Sequence, residues 1–213
     1  MRIALVNPNT SADTTVAMLT VAREHAGEME VTGLTAPFGA ALITGPAALA
    51  EAARAVEAMA PDLAGFDAAI VAAFGDPGLD ALRARLVVPV TGIGEASMRE
   101  AASGGRRFAV VTTTPDLRGA IADLAERAGH EAFLGTWVTQ GDPAAVMARP
   151  AGLVRALDAA CRDAIATGAE AVVIGGGPLA RAAEALAAAL PVALIAPVPA
   201  ALRLTAARLE RAS

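Results

Sequence analysis

Arg2-Ile3-Ala4-Leu5-Val6-Asn7 returns 105 residues later as Arg107-Phe108-Ala109-Val110-Val111-Thr112. Two further stretches return in the same order at nearly the same interval. Gly65-Phe66-Asp67-Ala68-Ala69-Ile70-Val71 matches Gly168-Ala169-Glu170-Ala171-Val172-Val173-Ile174 at 103 residues, and Val88-Pro89-Val90 matches Leu190-Pro191-Val192 at 102. A common rhythm of strands and helices can produce one such match by accident, but it gives no reason for three to hold one register. The chain is therefore expected to form two similar lobes, residues 1–100 and 101–197, with a last helix, 198–213, crossing back to the first.

Around these stretches, apolar runs of strand length alternate with Ala-rich stretches of helical length. Strands are expected at Arg2–Val6, Glu30–Leu34, Ala68–Ala73, Val88–Ile93, Phe108–Thr112, Ala132–Leu134, Ala171–Gly175 and Val192–Ile195. Helices are expected near 12–26, 46–60, 78–85, 95–103, 116–128, 150–167, 179–188 and 198–211. That alternation predicts an α/β fold of two pseudo-symmetric Rossmann-like lobes, each a mainly parallel sheet flanked by helices. Ligands of such sheets collect outside the carboxyl ends of the strands, which places the active-site cleft between the lobes.

Composition narrows the function classes. Hydrophobic residues make up 55% of the 213, but alanine supplies most of the excess, and no apolar run reaches the length of a membrane span. The opening MRIALVNPNT is too short in its apolar part for a signal peptide and reads as a buried strand, so a cytoplasmic protein is expected. A net charge of −5 and 3% aromatics argue against a nucleic-acid partner. The single cysteine excludes an internal disulfide, and His25 and His130 lack ligand spacing, so no metal site is expected. Cys161 falls on an apolar stripe with Val154, Leu157 and Ala164/Ile165, as a buried structural thiol would.

The loops after the first and third strands of each repeat are the candidates for chemistry. Asn7-Pro8-Asn9-Thr10-Ser11 sets amide and hydroxyl groups before a helix, where they either grip a carboxylate or imide or simply cap and brace the turn. Thr112-Thr113-Thr114-Pro115 is its counterpart. There Thr114 is expected to cap a helix that starts at Pro115, leaving Thr112 and Thr113 to the cleft. The third-strand loops read Ala72-Ala73-Phe74-Gly75-Asp76-Pro77-Gly78 and Gly175-Gly176-Gly177-Pro178-Leu179. In these, Pro77 and Pro178 suit first helical positions, with Asp76 and Gly177 before them. Asn7, Asn9, Thr10, Ser11, Phe74, Gly75, Thr112, Thr113, Gly177 and Pro178 are thus the candidate ligand-binding residues. Neither glycine-rich loop completes a nucleotide-binding motif.

Four of these segments together, Asn7–Ser11, Phe74–Asp80, Gly92–Ala96 and Val110–Thr113, resemble hydantoin racemases of the aspartate/glutamate racemase superfamily, across most of the chain. The resemblance implies a small carboxylate or cyclic imide as ligand, cofactor-independent chemistry at a carbon next to a carbonyl, and a homo-oligomer. It also implies one thiol per lobe at the end of the third strand, one removing a proton and the other returning one. The matching positions here are Ala73 and Gly176, which are equivalent in the internal repeat, and neither ionises. Two candidates remain for acid–base work. Asp76 lies three residues beyond Ala73 and serves either as a desolvated base or as a helix cap. Glu95, at the start of the next helix, either faces the cleft or is favoured there by the helix dipole. A lone carboxylate favours one-face chemistry over racemisation. The other reading is a homologue that binds the ligand without turnover.

Overall fold

The computed structural model describes residues 1–176 and 179–212. The first repeat runs β1 (Arg2–Asn7), α1 (Ala12–His25), β2 (Glu30–Thr35), α2 (Pro46–Ala58), β3 (Ala68–Val71), α3 (Leu79–Arg85), β4 (Val90–Gly92) and α4 (Ile93–Ala101). The second runs β5 (Phe108–Thr112), α5 (Arg118–Arg127), β6 (Phe133–Val138), α6 (Pro143–Met147), α7 (Pro150–Ala166), β7 (Ala171–Ile174), α8 (Ala180–Ala187) and β8 (Ala193–Ile195), followed by α9 (Pro197–Ala212). The strands form two four-stranded parallel sheets of order β2-β1-β3-β4 and β6-β5-β7-β8. One topology repeated twice is the outcome the sequence repeat requires.

Side-chain alternation along the central strands decides how the sheets meet. Ile3 and Leu5 of β1 point into one core that also takes Phe108 and Val110 of β5, with Ile93, Met98, Val198 and Leu202 between them. The intervening residues face outward: Ala4 and Val6 pack with Val56 and Leu82, and Ala109 and Val111 pack with Leu157 and Cys161. Both faces of each sheet are therefore covered, which is why its strands read as unbroken apolar runs.

Helix α9 returns from the second sheet to pack on α1, α4, β3 and β4. A polar clasp holds it there. The Arg208 guanidinium donates to Glu95 Oε1 at 2.6 Å, to the Val90 carbonyl at 3.0 Å and to Thr91 Oγ1 at 2.9 Å, while Thr205 Oγ1 lies 3.0 Å from Thr91 Oγ1. Arg83 reaches the other Glu95 oxygen at 2.6 Å.

Three departures from the expected elements lie outside the cavity loops. Strand β6 extends to Val138 because Gly135, at φ 133°, takes up a register shift opposite Phe108 and Ala109, and a glycine within an apolar run hides a strand. Helix α6 was not anticipated; it has Pro143 in its first turn and is capped by Asp142, whose Oδ1 accepts the Ala145 N–H at 2.9 Å. Helix α4 begins at Ile93, two residues early, for a reason given below.

Replacing Arg208 by Ala removes one of the two guanidinium groups that hold Glu95 and the Val90 carbonyl, Arg83 supplying the other, at a cost of about 1–2 kcal/mol in chemical denaturation. Arg162→Ala breaks an exposed pair with Asp158 and should leave the denaturation midpoint essentially unchanged.

Candidate functional site

A cleft of about 500 Å³, part of it continuous with open solvent, lies between the two sheets. Its walls follow the carboxyl ends of strands in both lobes, as open parallel sheets dictate. From the first lobe come Asn9 after β1, Leu42 and Ile43 after β2, and Ala72, Ala73 and Phe74 after β3. From the second come Thr112–Thr114 and Leu117 around the end of β5, Met147 after β6, and Gly175, Gly176 and Leu179 after β7. Several lining residues are partners in the internal repeat: Asn9 with Thr114, Ile43 with Met147, and Ala73 with Gly176, at intervals of 105, 104 and 103.

The Asn7–Ser11 loop is organised by its own side chains. Asn7 is fully buried, and its Nδ2 donates to Asn9 Oδ1 at 2.9 Å, to the Ser11 carbonyl at 3.1 Å and to Thr15 Oγ1 at 2.9 Å. The Thr10 N–H donates to the Ala40 carbonyl at 3.1 Å, and Ser11 Oγ caps α1 by accepting the Thr14 N–H at 3.2 Å. These three residues therefore build the loop. Asn9 alone of the four lines the cavity. The Ser11 N–H donates to Asn9 Oδ1 at 2.9 Å, and a backbone N–H can only meet an oxygen. The Asn9 NH₂ group is thus the one presented outward, a fixed hydrogen-bond donor.

Across the cavity Thr112 and Thr113 are placed as expected. Thr114 differs: instead of capping a helix, its hydroxyl lies 3.0 Å from that of Thr112, and a single 3₁₀ turn, Pro115–Leu117, precedes α5. Phe74 reaches over from the first lobe, and a Cβ on Gly175 would sit 3.5 Å from its ring and 2.7 Å from Val110 Cγ1. Gly175 is needed for that approach. Gly177 and Pro178 lie outside the described residues.

Asp76, Glu95 and Gly75 do not line this cavity. Gly75 and Asp76 turn the chain through φ 100° and φ 49°, and the helix expected at Pro77 begins only at Leu79, after Gly78 at φ 74°. The Asp76 carboxylate is carried to the N-terminus of α4, where Oδ1 accepts the Gly94 N–H at 2.8 Å and Oδ2 the Glu95 N–H at 2.6 Å. It caps that helix and not its own, which explains the early start of α4. A Cβ on Gly92 would lie 2.2 Å from Asp76 Cγ, so the glycine in the Gly92–Ala96 stretch makes room for the carboxyl. Burial outweighs the two N–H bonds and pushes the Asp76 carboxyl up from 3.8 to about 7. Glu95 is also partly desolvated, but the guanidinium groups of Arg208 and Arg83 hold it below the ordinary value.

Cys161 is fully buried against α7's partners, and burial pushes its thiol up to about 12. His130 packs edge-on to Phe108 with ring centroids 5.5 Å apart. Ligand atoms of Glu24, His25 and Glu184 come within 4.8 Å of one another on the surface, with Glu24 3.7 Å from Arg181. The apolar lining residues Leu42, Ile43, Leu117, Met147 and Leu179 had not been singled out. A signal for two of them exists: Pro46-Ala47-Ala48-Leu49 repeats as Pro150-Ala151-Gly152-Leu153, and Ile43 and Met147 each precede it by three residues.

A two-lobed parallel fold with an interlobe cavity defines a class, and residues 3–205 match the family described as Asp/Glu/Hydantoin racemase. The chain belongs to that family. It is 30% identical to a hydantoin racemase of Paenarthrobacter aurescens over 221 residues, covering 95% of this chain and 89% of the relative. The structure of an allantoin racemase from Klebsiella pneumoniae aligns with a TM-score of 0.93 at 30% identity, over 100% of this chain and 89% of that one. A glutamate racemase from Bacillus anthracis, 16% identical over 99% of this chain and 82% of its own, shares the fold with a TM-score of 0.73. Among the described residues no helix is long and apolar enough to cross a membrane.

The burial of Asp76 sets a pH dependence. Its folded value lies above its unfolded one, so its proton favours the fold below about pH 4, and that contribution is lost as pH rises towards 7. Asp76→Asn should flatten this part of the pH–stability curve. It should also cost about 1–3 kcal/mol, because an amide accepts only one of the two N–H groups. Urea unfolding from pH 4 to 8 reads both effects.

Proposed function

We propose that this chain binds a small cyclic imide of the hydantoin type, or a related carboxylate, between its lobes without two-thiol proton exchange. The observation that carries this reading is the chemistry of the cavity wall. Asn9 offers a donor for a carbonyl, and Thr112, Thr113 and Thr114 offer hydroxyls that either donate or accept. None of the described lining residues has a side chain that ionises near neutral pH.

Resemblance to hydantoin racemases sets thiols at the positions of Ala73 and Gly176, where proton removal and return take place on opposite faces of the carbon. Alanine and glycine supply neither base nor acid. Asp76 would be the next base in sequence, but its two oxygens are engaged by the N-terminus of α4. The geometry therefore favours ligand binding over one-face chemistry through Asp76.

Incubation with a 5-substituted hydantoin in D₂O tests this directly. Thermal-shift binding is expected, with loss of the C5 proton signal no faster than in buffer. The double variant Ala73→Cys, Gly176→Cys should accelerate exchange by at least about a hundredfold, the low end for positioned acid–base groups. A Cβ at 176 would stand 3.1 Å from Leu179 Cδ1, the flexible end of a side chain that can yield. Exchange by the unmodified chain as fast as by the double variant would contradict the proposal, and its loss in Asp76→Asn would name the base.

A further inference from the structure

We infer that Asn7 is a positioning residue of the site: from behind the wall it aims the Asn9 amide, so that the cavity takes a hydrogen-bond acceptor at that point and refuses a donor. The inference rests on the proposed function and concerns which edge of the ring Asn9 meets. Asn7 ends β1, is fully buried and does not line the cavity. Its Oδ1 accepts the Asn9 N–H at 3.1 Å, and that bond turns its Nδ2 towards Asn9 Oδ1, 2.9 Å away. With the Ser11 N–H also donating to Asn9 Oδ1 at 2.9 Å, both lone pairs of the Asn9 carbonyl are used inside the loop. Only N–H remains for a ligand.

The second lobe repeats the device. Thr112 stands 105 residues after Asn7, and Thr114 stands 105 after Asn9. There the Thr114 N–H donates to Thr112 Oγ1 at 3.4 Å, and the two hydroxyls lie 3.0 Å apart. In each lobe the last residue of the central strand therefore holds, by backbone and side chain alike, the cavity-lining residue two places on. The correspondence supplies a conservative replacement. Threonine at position 7 has a hydroxyl to accept the Asn9 N–H and to donate to the Asn9 carbonyl, whereas valine has the same shape without it. Ala73, Phe74, Gly175 and Gly176 bring main-chain groups to the same lining. Those groups are common to every variant at position 7 or 9, so a difference between variants reads the Asn9 amide.

Calorimetric titration with 5-isobutylhydantoin and its 2-amino and 4-amino counterparts, each setting an N–H donor where the hydantoin has a carbonyl, tests this. The hydantoin should bind at least about tenfold more tightly than at least one counterpart. Asn7→Thr should keep that gap within about twofold. Asn7→Val should shrink it to about threefold or less, because an amide released by residue 7 turns its oxygen to the donor. Asn9→Ala should lose the gap as well. A loop merely weakened at position 7 would bind all three ligands less tightly and leave the gap as it was. Thermal unfolding confirms that each variant is folded, and Asn7→Ala, which adds no atom to the buried site, replaces Asn7→Val if valine unfolds the chain. Equal binding of all three ligands by the unmodified chain overturns the inference while the hydantoin reading stands. So does a gap unaltered in Asn7→Val or Asn9→Ala, or lost in Asn7→Thr. Failure of the hydantoin to bind the unmodified chain overturns that reading, and this inference with it.

Discussion

The position of the cavity depends on a packing constraint. Ile3 and Leu5 of β1 and Phe108 and Val110 of β5 must enter one common core. Each parallel sheet has two apolar faces, and these residues turn one face of each towards the other. Because the lobes repeat one topology, sharing that core sets the carboxyl ends of the two sheets facing each other. The loops after β1, β2 and β3 then meet those after β5, β6 and β7. A cavity walled by both lobes follows from the core and needs no special arrangement of the loops.

Charge is used elsewhere, for holding the first lobe's own elements and α9 together. Asp76 ties the loop after β3 to the first turn of α4, and Glu95 on that turn is gripped by Arg83 of α3 and Arg208 of α9. The carboxylates that catalysis could have claimed are therefore engaged in helix capping and in fastening the C-terminal helix. Among the described residues the cavity lining is left with amide, hydroxyl and hydrocarbon side chains, a wall suited to binding by shape and hydrogen bonding.

Much of the fold was legible because a repeat holds register. The match of Arg2–Asn7 with Arg107–Thr112 located both central strands, and apolar runs buried on two faces are easily read. Gly135 and Asp142 show where legibility stopped. A bulge glycine broke the apolar run of β6, and α6 is too short for helical periodicity to declare itself. In the site, hydroxyl and amide types drew the eye to the right loops but not to the right members. Asn7 and Ser11 differ from Asn9 only in which hydrogen bonds they make, and those bonds cross several residues. Which helix Asp76 caps was hidden for the same reason: its partners, Gly94 and Glu95, lie 18 and 19 residues ahead, and local pattern carries no such information. The apolar wall escaped notice because Ile43 and Met147 sit in segments without regular periodicity.

The central claim is that ligand in this cavity touches no titrating group, and the pH dependence of affinity tests it most directly. For a neutral 5-substituted hydantoin, Kd measured from pH 5 to the onset of the ligand's own ionisation should stay constant within about twofold. A change of about tenfold through the region near pH 7, where Asp76 titrates, would place an ionising group against the ligand and contradict the account.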